Sequence, residues 1–292
     1  FALPVMEVAA QPLLPEQPPV AGEVDASVLR AAVSVVAAVA SRDGLPLFSG
    51  VRMRSEGDSV ILLATDRFRL AVARLPWTPA PGAPPIDTLI PAVTLGDAAR
   101  QLDAPTAVLR AAPGRLAVEW GGPAGERSRE PQGVRSAGER SREPQGVRSA
   151  GLTVASLALP FPDAQLDRLL DVRPECTVEV SADRLRAAVE RAMPFAGEAG
   201  SVVLDTADGA VVVRGAGSAA GDSREEVKAS VTGDWMTASY QGRYLIDGLR
   251  AFAGRQVVVR LQRGIQPTEI TDVDPGAGDL RHLIVPLRRP AQ

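Results

Sequence analysis

The sequence predicts an α+β chain built from two similar units in tandem, each with two helices packed on antiparallel sheets. Three observations predict it. Residues 23 to 33, EVDASVLRAAV, return at 179 to 189 as EVSADRLRAAV, with eight of eleven positions identical at an offset of 156. Each copy is followed by two β-rich runs around a turn pair, and later by a second short helix and another strand. A period this long means tandem domains and not a solenoid. Few helices set against many strands is the α+β arrangement, in which helices cover one side of the sheet.

The elements follow in order. Residues 11 to 20, QPLLPEQPPV, are Pro-rich and read as an extended linker. A short strand then ends at Asp25, a good helix N-cap, and an amphipathic helix places Leu29, Val33 and Val36 on one face. VRMRSEGDSVILLA gives a hairpin around Glu56-Gly57-Asp58. TPAPGAPPI, at 78 to 86, reads as a rigid surface loop. A second helix is expected over roughly 94–102, then a strand from Leu116 to Trp120. Residues 124 to 149 hold AGERSREPQGVRS twice in succession, without apolar periodicity. That stretch reads as a mobile, solvated loop over 124–150. The second unit repeats the plan: Ser181 as N-cap, then Leu185, Val189 and Ala192 on one helix face, then a hairpin around Asp208-Gly209. A helix over roughly 242–253 and a strand from Val257 to Gln262 complete it.

Composition excludes several function classes. The 292 residues carry one cysteine, Cys176, and one histidine, His282. No intrachain disulfide can form, which suits a cytoplasmic protein, and a Cys/His zinc site cannot be assembled. No metal or other cofactor is expected, and no Gly-rich phosphate loop is present. No run approaches the ~18 apolar residues of a membrane span. Asp66, Asp97 and Asp163 are not spaced as a catalytic pair, and Asp66 in Thr-Asp-Arg reads as a turn residue. His282 lies in an apolar closing strand and reads as a packed or surface strand position. Net charge is −3, so any grip on nucleic acid must come from arginines gathered on one face.

A resemblance adds to this. LLATDRFRLAVARLPW at 62 to 77 resembles a stretch of the bacterial sliding-clamp family, the DNA polymerase III β subunit, in its actinobacterial form. GLPLFSGV at 44 to 51 resembles the end of the family's domain-two helix, FPD at 161 to 163 its junction into domain three. GRYLIDGLRAF at 242 to 252 resembles its late inner helix, and HLIVPLR at 282 to 288 its closing strand. The resemblance implies tandem DNA-clamp domains of the processivity fold: 1–20 as the end of domain one and linker, 21–160 as domain two, 161–292 as domain three. It implies a chain lacking most of domain one, whose full-length form is a homodimeric ring with helices lining the hole.

It also implies sites. A cleft between domains two and three would take short peptides from the polymerase α subunit, the clamp loader and repair polymerases. Carried over by motif, it comprises Phe48, Thr65, Arg67, Phe68, Arg69 and Leu70, with Leu283, Val285, Pro286 and Arg288. Sequence-independent contact with double-stranded DNA would come from Arg30, Arg42, Arg100, Arg184, Arg191 and Arg243 on inner helix faces. Two departures from the family stand out. Ala92 and Val93 open the second helix where basic residues are common, and Pro46 and Leu47 stand where some relatives carry tyrosines near the domain-two hairpin. The function implied is a non-catalytic processivity clamp. The alternative is a divergent clamp paralogue that binds partners and loads weakly or not at all. An enzyme is the third and least supported class.

Overall fold

The computed structural model describes residues 16–41, 44–121, 150–218, 221–276 and 278–288. The N-terminal end, Arg42, the first half of the 11–20 linker and the tandem repeat fall outside these residues. The first unit runs β1 (Val20–Asp25), α1 (Ala26–Val36), β2 (Gly50–Glu56), β3 (Ser59–Thr65), β4 (Arg69–Pro79) and β5 (Asp87–Pro91). It continues with α2 (Ala92–Arg100), β6 (Thr106–Ala112), β7 (Arg115–Trp120) and β8 (Ala150–Ala155). A short helix, α3 (Asp163–Leu169), leads into the second unit. That unit runs β9 (Cys176–Ser181), α4 (Ala182–Ala192), β10 (Ser201–Ala207), β11 (Ala210–Ser218), β12 (Gly221–Lys228) and β13 (Ser230–Gly233). Then come β14 (Thr237–Gln241), α5 (Gly242–Arg250), β15 (Gln256–Leu261), β16 (Thr268–Asp272) and β17 (Asp279–Ile284).

The duplicated segment behaves alike in both copies, for the same local reason. The Asp25 carboxylate accepts the backbone N–H groups of Ser27 and Val28 at 2.8 and 2.9 Å, and the Ser181 hydroxyl accepts that of Arg184 at 3.4 Å. Each cap satisfies amides that the first helical turn leaves without partners. Leu29, Val33 and Val36 on α1, and Leu185, Val189 and Ala192 on α4, are buried as their spacing predicts. Each large side chain among them contributes about 1.5–3 kcal/mol of burial. Both hairpins form on their turn pairs, with Gly57 and Gly209 at φ +57° and +69°, where a side chain would be strained.

Three expectations about bounds are corrected. The second helix of the first unit begins at Ala92, straight after Pro91 in an extended conformation, and ends at Arg100 instead of running over 94–102. Its counterpart ends at Arg250 instead of 253, and the chain leaves it through turns in which the Phe252 and Ala253 N–H groups donate to the Leu249 and Arg250 carbonyls. GLPLFSGV is not the end of a long helix. α1 stops at Val36, and Pro46–Ser49 is a separate 3-10 turn feeding β2.

All strand pairs are antiparallel among the described residues. One long sheet runs β13-β9-β15-β16-β17-β4-β1-β6-β7-β8, with β3 also paired to β4 and β2 and β5 beyond it; a second sheet runs β12-β11-β10-β14. The junction of the units is therefore a strand pair. β17 lies on β4 in a register from Asp279↔Arg74 to Ile284↔Arg69. Each unit has its own hydrophobic core, with α1 against α2 and α4 against α5. A third cluster lies across the junction. Ile61, Leu63, Leu70 and Val72 of the first unit and Leu283 of β17 close over Leu166 of α3. Because Leu283 faces α3 while its neighbour His282 meets Gly248 of α5, the two helices lie on opposite faces of this sheet.

Candidate peptide-binding cleft

The candidate residues converge on the turn between β3 and β4 and on the end of β17. The turn is tied from within. Thr65 Oγ1 donates to the Arg69 carbonyl at 2.7 Å and accepts the Arg67 N–H at 3.1 Å. Asp66 Oδ1 accepts the N–H groups of Phe68 and Arg69, both at 3.0 Å, so Asp66 is the turn residue its sequence setting predicts. Arg67 is left at φ +80°, the one non-glycine residue with positive φ among the described residues. Across the junction, the Val285 N–H donates to the Phe68 carbonyl at 2.9 Å, which carries the β4–β17 pairing past Ile284.

Side chains from four segments meet here. Phe68, half exposed, stacks on Tyr244 of α5 at 6.2 Å between ring centres. The Arg67 guanidinium lies 5.8 Å from the Phe48 ring and 5.7 Å from that of Phe68. Arg69 pairs with Asp66 at 2.9 Å and with Asp247 of α5 at 2.8 Å, and its guanidinium lies 4.7 Å from the Tyr244 ring. Thr65 and Pro286 are buried, Val285 is half-buried and Arg288 is exposed. Leu70 and Leu283 are 3% and 2% exposed inside the cluster under α3, so they support the site from below and are core residues in their own right. Nine of the ten candidate cleft positions are thus placed at or beneath one junction, and Arg288 lies at its exposed end.

The junction also holds residues not picked from the sequence. Tyr244 and Asp247 lie within GRYLIDGLRAF, three apart and so on one helix face, but nothing in their spacing says that this face meets the β3–β4 turn. Leu166 and the ion pairs that clamp α3, Arg52 to Asp163 at 3.0 Å and Arg54 to Asp167 at 3.1 Å, are likewise tertiary facts.

The arginine candidates for DNA contact separate into different settings. Arg184 on α4 is exposed. Arg30 is exposed and reaches the Leu102 carbonyl at 3.3 Å. Arg100 is paired with Asp97, and Arg191 is held by both oxygens of Glu225 on β12, at 2.8 and 2.5 Å. The shared face expected for Arg184 and Arg191 therefore carries one cation already neutralised. Arg243 lies 4.9 Å over the Tyr244 ring, beside the candidate cleft. Arg42 lies outside the described residues.

Comparison with known proteins gives one consistent result. The family model for the DNA polymerase III beta subunit, central domain, matches residues 23–122, and that for its C-terminal domain matches residues 168–288. The chain is 29% identical over 293 residues to the beta sliding clamp of Streptomyces coelicolor, across 99% of this chain and 72% of that one. It is 30% identical over 250 residues to the beta sliding clamp homolog GriR of Streptomyces muensis, across 85% of this chain and 60% of the relative. Over 103 residues it is 43% identical to the beta sliding clamp of Micrococcus luteus, 33% of that protein's length. Among solved structures, the DNA polymerase III beta subunit of Thermotoga maritima superposes with a TM-score of 0.78 at 18% identity, over 98% of this chain and 70% of the other. The sliding clamp of Bacillus subtilis gives the same score at 17% identity. The chain belongs to the DNA polymerase III beta subunit family, the bacterial sliding clamps.

Proposed function

We propose that this chain acts as a DNA sliding clamp, tethering a polymerase and repair proteins to double-stranded DNA through short peptides that dock at the β4–β17 junction. The observation that carries the reading is the convergence of Phe68, Arg69, Tyr244, Val285 and Pro286 at that junction. An apolar and aromatic surface with polar groups at its edge suits a short peptide. The chain has no chemistry of its own to offer in this reading. The carboxylates that could suggest catalysis are each engaged by arginine: Asp66 by Arg69, Asp97 by Arg100 and Asp163 by Arg52. The domain division 1–20, 21–160 and 161–292, the homodimeric ring of the full-length form and a cytoplasmic setting belong to the same reading. No helix among the described residues is long and apolar enough to cross a membrane.

The test is fluorescence anisotropy with a labelled peptide of the kind carried by replicative polymerases, titrated with the chain and with Phe68→Ala. Phe68 is half exposed, so the variant keeps its fold, which circular dichroism checks. Roughly micromolar binding, weakened at least about tenfold in the variant, is the expected result. Absence of binding to the folded chain would remove the cleft and leave the fold standing.

A second reading, a divergent clamp that binds partners and loads weakly on DNA, is favoured by the helix faces. Arg100 and Arg191 are already paired, and α2 opens with buried Ala92 and with Val93 at 73% exposure. Few free cations there mean little counterion release on duplex DNA. Retention of the complete protein on nicked circular DNA by a clamp loader would sink this second reading.

A further inference from the structure

We propose that Arg67 makes the cleft selective for a peptide that carries a carboxylate beside its aromatic or aliphatic anchor. This rests on the peptide-binding reading above and deepens it by naming the chemistry of the partner. Arg67 is held in a backbone conformation costing about 1–2 kcal/mol for a residue with a Cβ. Such strain persists where the surroundings fix it, and here Thr65 and Asp66 do so through hydrogen bonds on the turn's amides. The result is a cation set against two aromatic rings, Phe48 and Phe68, with no carboxylate paired to it among the described residues.

The acids nearby are already engaged. Asp66 is taken by Arg69, and Asp247 by Arg69 and, at 3.6 Å, by Arg250. Arg243 lies over Tyr244 and Arg288 stands exposed at the end of the strand, neither with a carboxylate partner among the described residues. Two cations, Arg67 and Arg243, therefore flank the Phe68–Tyr244 stack with no carboxylate paired to them among the described residues. An incoming carboxylate gains a charge-assisted bond at rings that exclude part of the water. The apolar neighbours Val285 and Pro286 suit peptide side chains better than a sugar–phosphate chain.

The experiment uses two labelled peptides with the same hydrophobic anchors, one with Asp and one with Asn next to them, against the chain and its Arg67→Ala and Arg67→Lys variants. The readout is the ratio of the two affinities, at low and high salt. The Asp peptide should bind about three- to tenfold tighter at low salt, as a partly solvated charged pair allows. The ratio should fall towards one at high salt and in Arg67→Ala, and survive in Arg67→Lys. A ratio of one in the unaltered chain, or a preference kept in Arg67→Ala, overturns the proposal while binding of the Asn peptide leaves the cleft intact. Failure of both peptides on the folded chain removes the cleft and the proposal together. Arg67-dependent binding of a thymidine oligonucleotide with no Asp preference overturns it in favour of a single-stranded nucleic acid ligand.

Discussion

His282→Leu should stabilise the chain at neutral pH and flatten its response to acid. His282 is 1% exposed on β17, opposite Ala71 of β4 and Ile270 of β16. Gly248 of α5 lies so close that a Cβ there would stand 2.9 Å from the imidazole Cδ2. Neither ring nitrogen has a hydrogen-bond partner among the described residues. Burial pushes the imidazole down to about 3 from an ordinary 6.5, with the Arg69 cation adding to the shift and Asp247 opposing it. A folded-state value below the unfolded one means that the unfolded chain takes up the proton first. Stability is therefore complete above pH 6.5 and declines as the pH falls from there towards 3. At about 1.4 kcal/mol for each pH unit, His282 alone removes about 2–3 kcal/mol by roughly pH 4.5. Leucine has no proton to take and leaves no unsatisfied nitrogen, an omission worth about 1–3 kcal/mol at pH 7. A change of shape returns up to about 1.5 kcal/mol of that. Urea denaturation at pH 7 and 4.5, followed by circular dichroism and tryptophan fluorescence, measures both effects. Carboxylates titrating in this range contribute to both proteins, so the informative quantity is the difference between their acid losses. Equal losses in the two proteins would refute the argument.

Two further outcomes follow from the same geometry. Glu269 is buried on β16 between Arg260 at 3.0 Å and Arg281 at 2.5 Å, and Arg281 also reaches the Leu170 carbonyl after α3. Glu269→Gln leaves two arginines short of a charge and should cost about 2–4 kcal/mol in urea denaturation; a loss under about 1 kcal/mol would show the triad to be solvated. At Arg67 the usual order of glycine and alanine should invert. Relief of about 1–2 kcal/mol of backbone strain exceeds the extra unfolded-state entropy of glycine, so Arg67→Gly should exceed Arg67→Ala in stability by about 0.5–1 kcal/mol. The reverse order in thermal melts would mean the turn relaxes away from φ +80°.

What was legible in the sequence was local. Asp25 and Ser181 announce helix starts, and Gly57 and Gly209 announce hairpin turns, because cap and turn chemistry acts over two or three residues. The α2 start was misplaced because the chain enters the helix from Pro91, which offers no side-chain cap to mark it. The candidate cleft was legible only through resemblance. No periodicity in residues 65 to 70 says that β17, more than two hundred positions later, will lie on β4, and Tyr244 and Asp247 went unnoticed for the same reason. The arginines proposed for DNA contact were the least legible. Whether Arg191 of α4 is free depends on Glu225 of β12, which reaches it from a different element.

The junction explains why these residues act together. Arg69 forms the β4–β17 edge with its backbone, fixes the turn through Asp66, and reaches α5 through Asp247. Phe68 gives its carbonyl to Val285 and its ring to Tyr244. The platform therefore exists only while the two units are docked, and each unit alone presents half of it. Residues whose positions need two independent cores to agree lie at the low-stability end of a fold, where local opening costs less than global unfolding. His282 lies on β17 opposite Ala71 of β4, so an opening of this edge that lets the imidazole take up a proton is favoured as the pH falls. Peptide affinity should accordingly fall with pH ahead of the loss of secondary structure, and a cleft that failed only when the cores failed would place the weak point elsewhere.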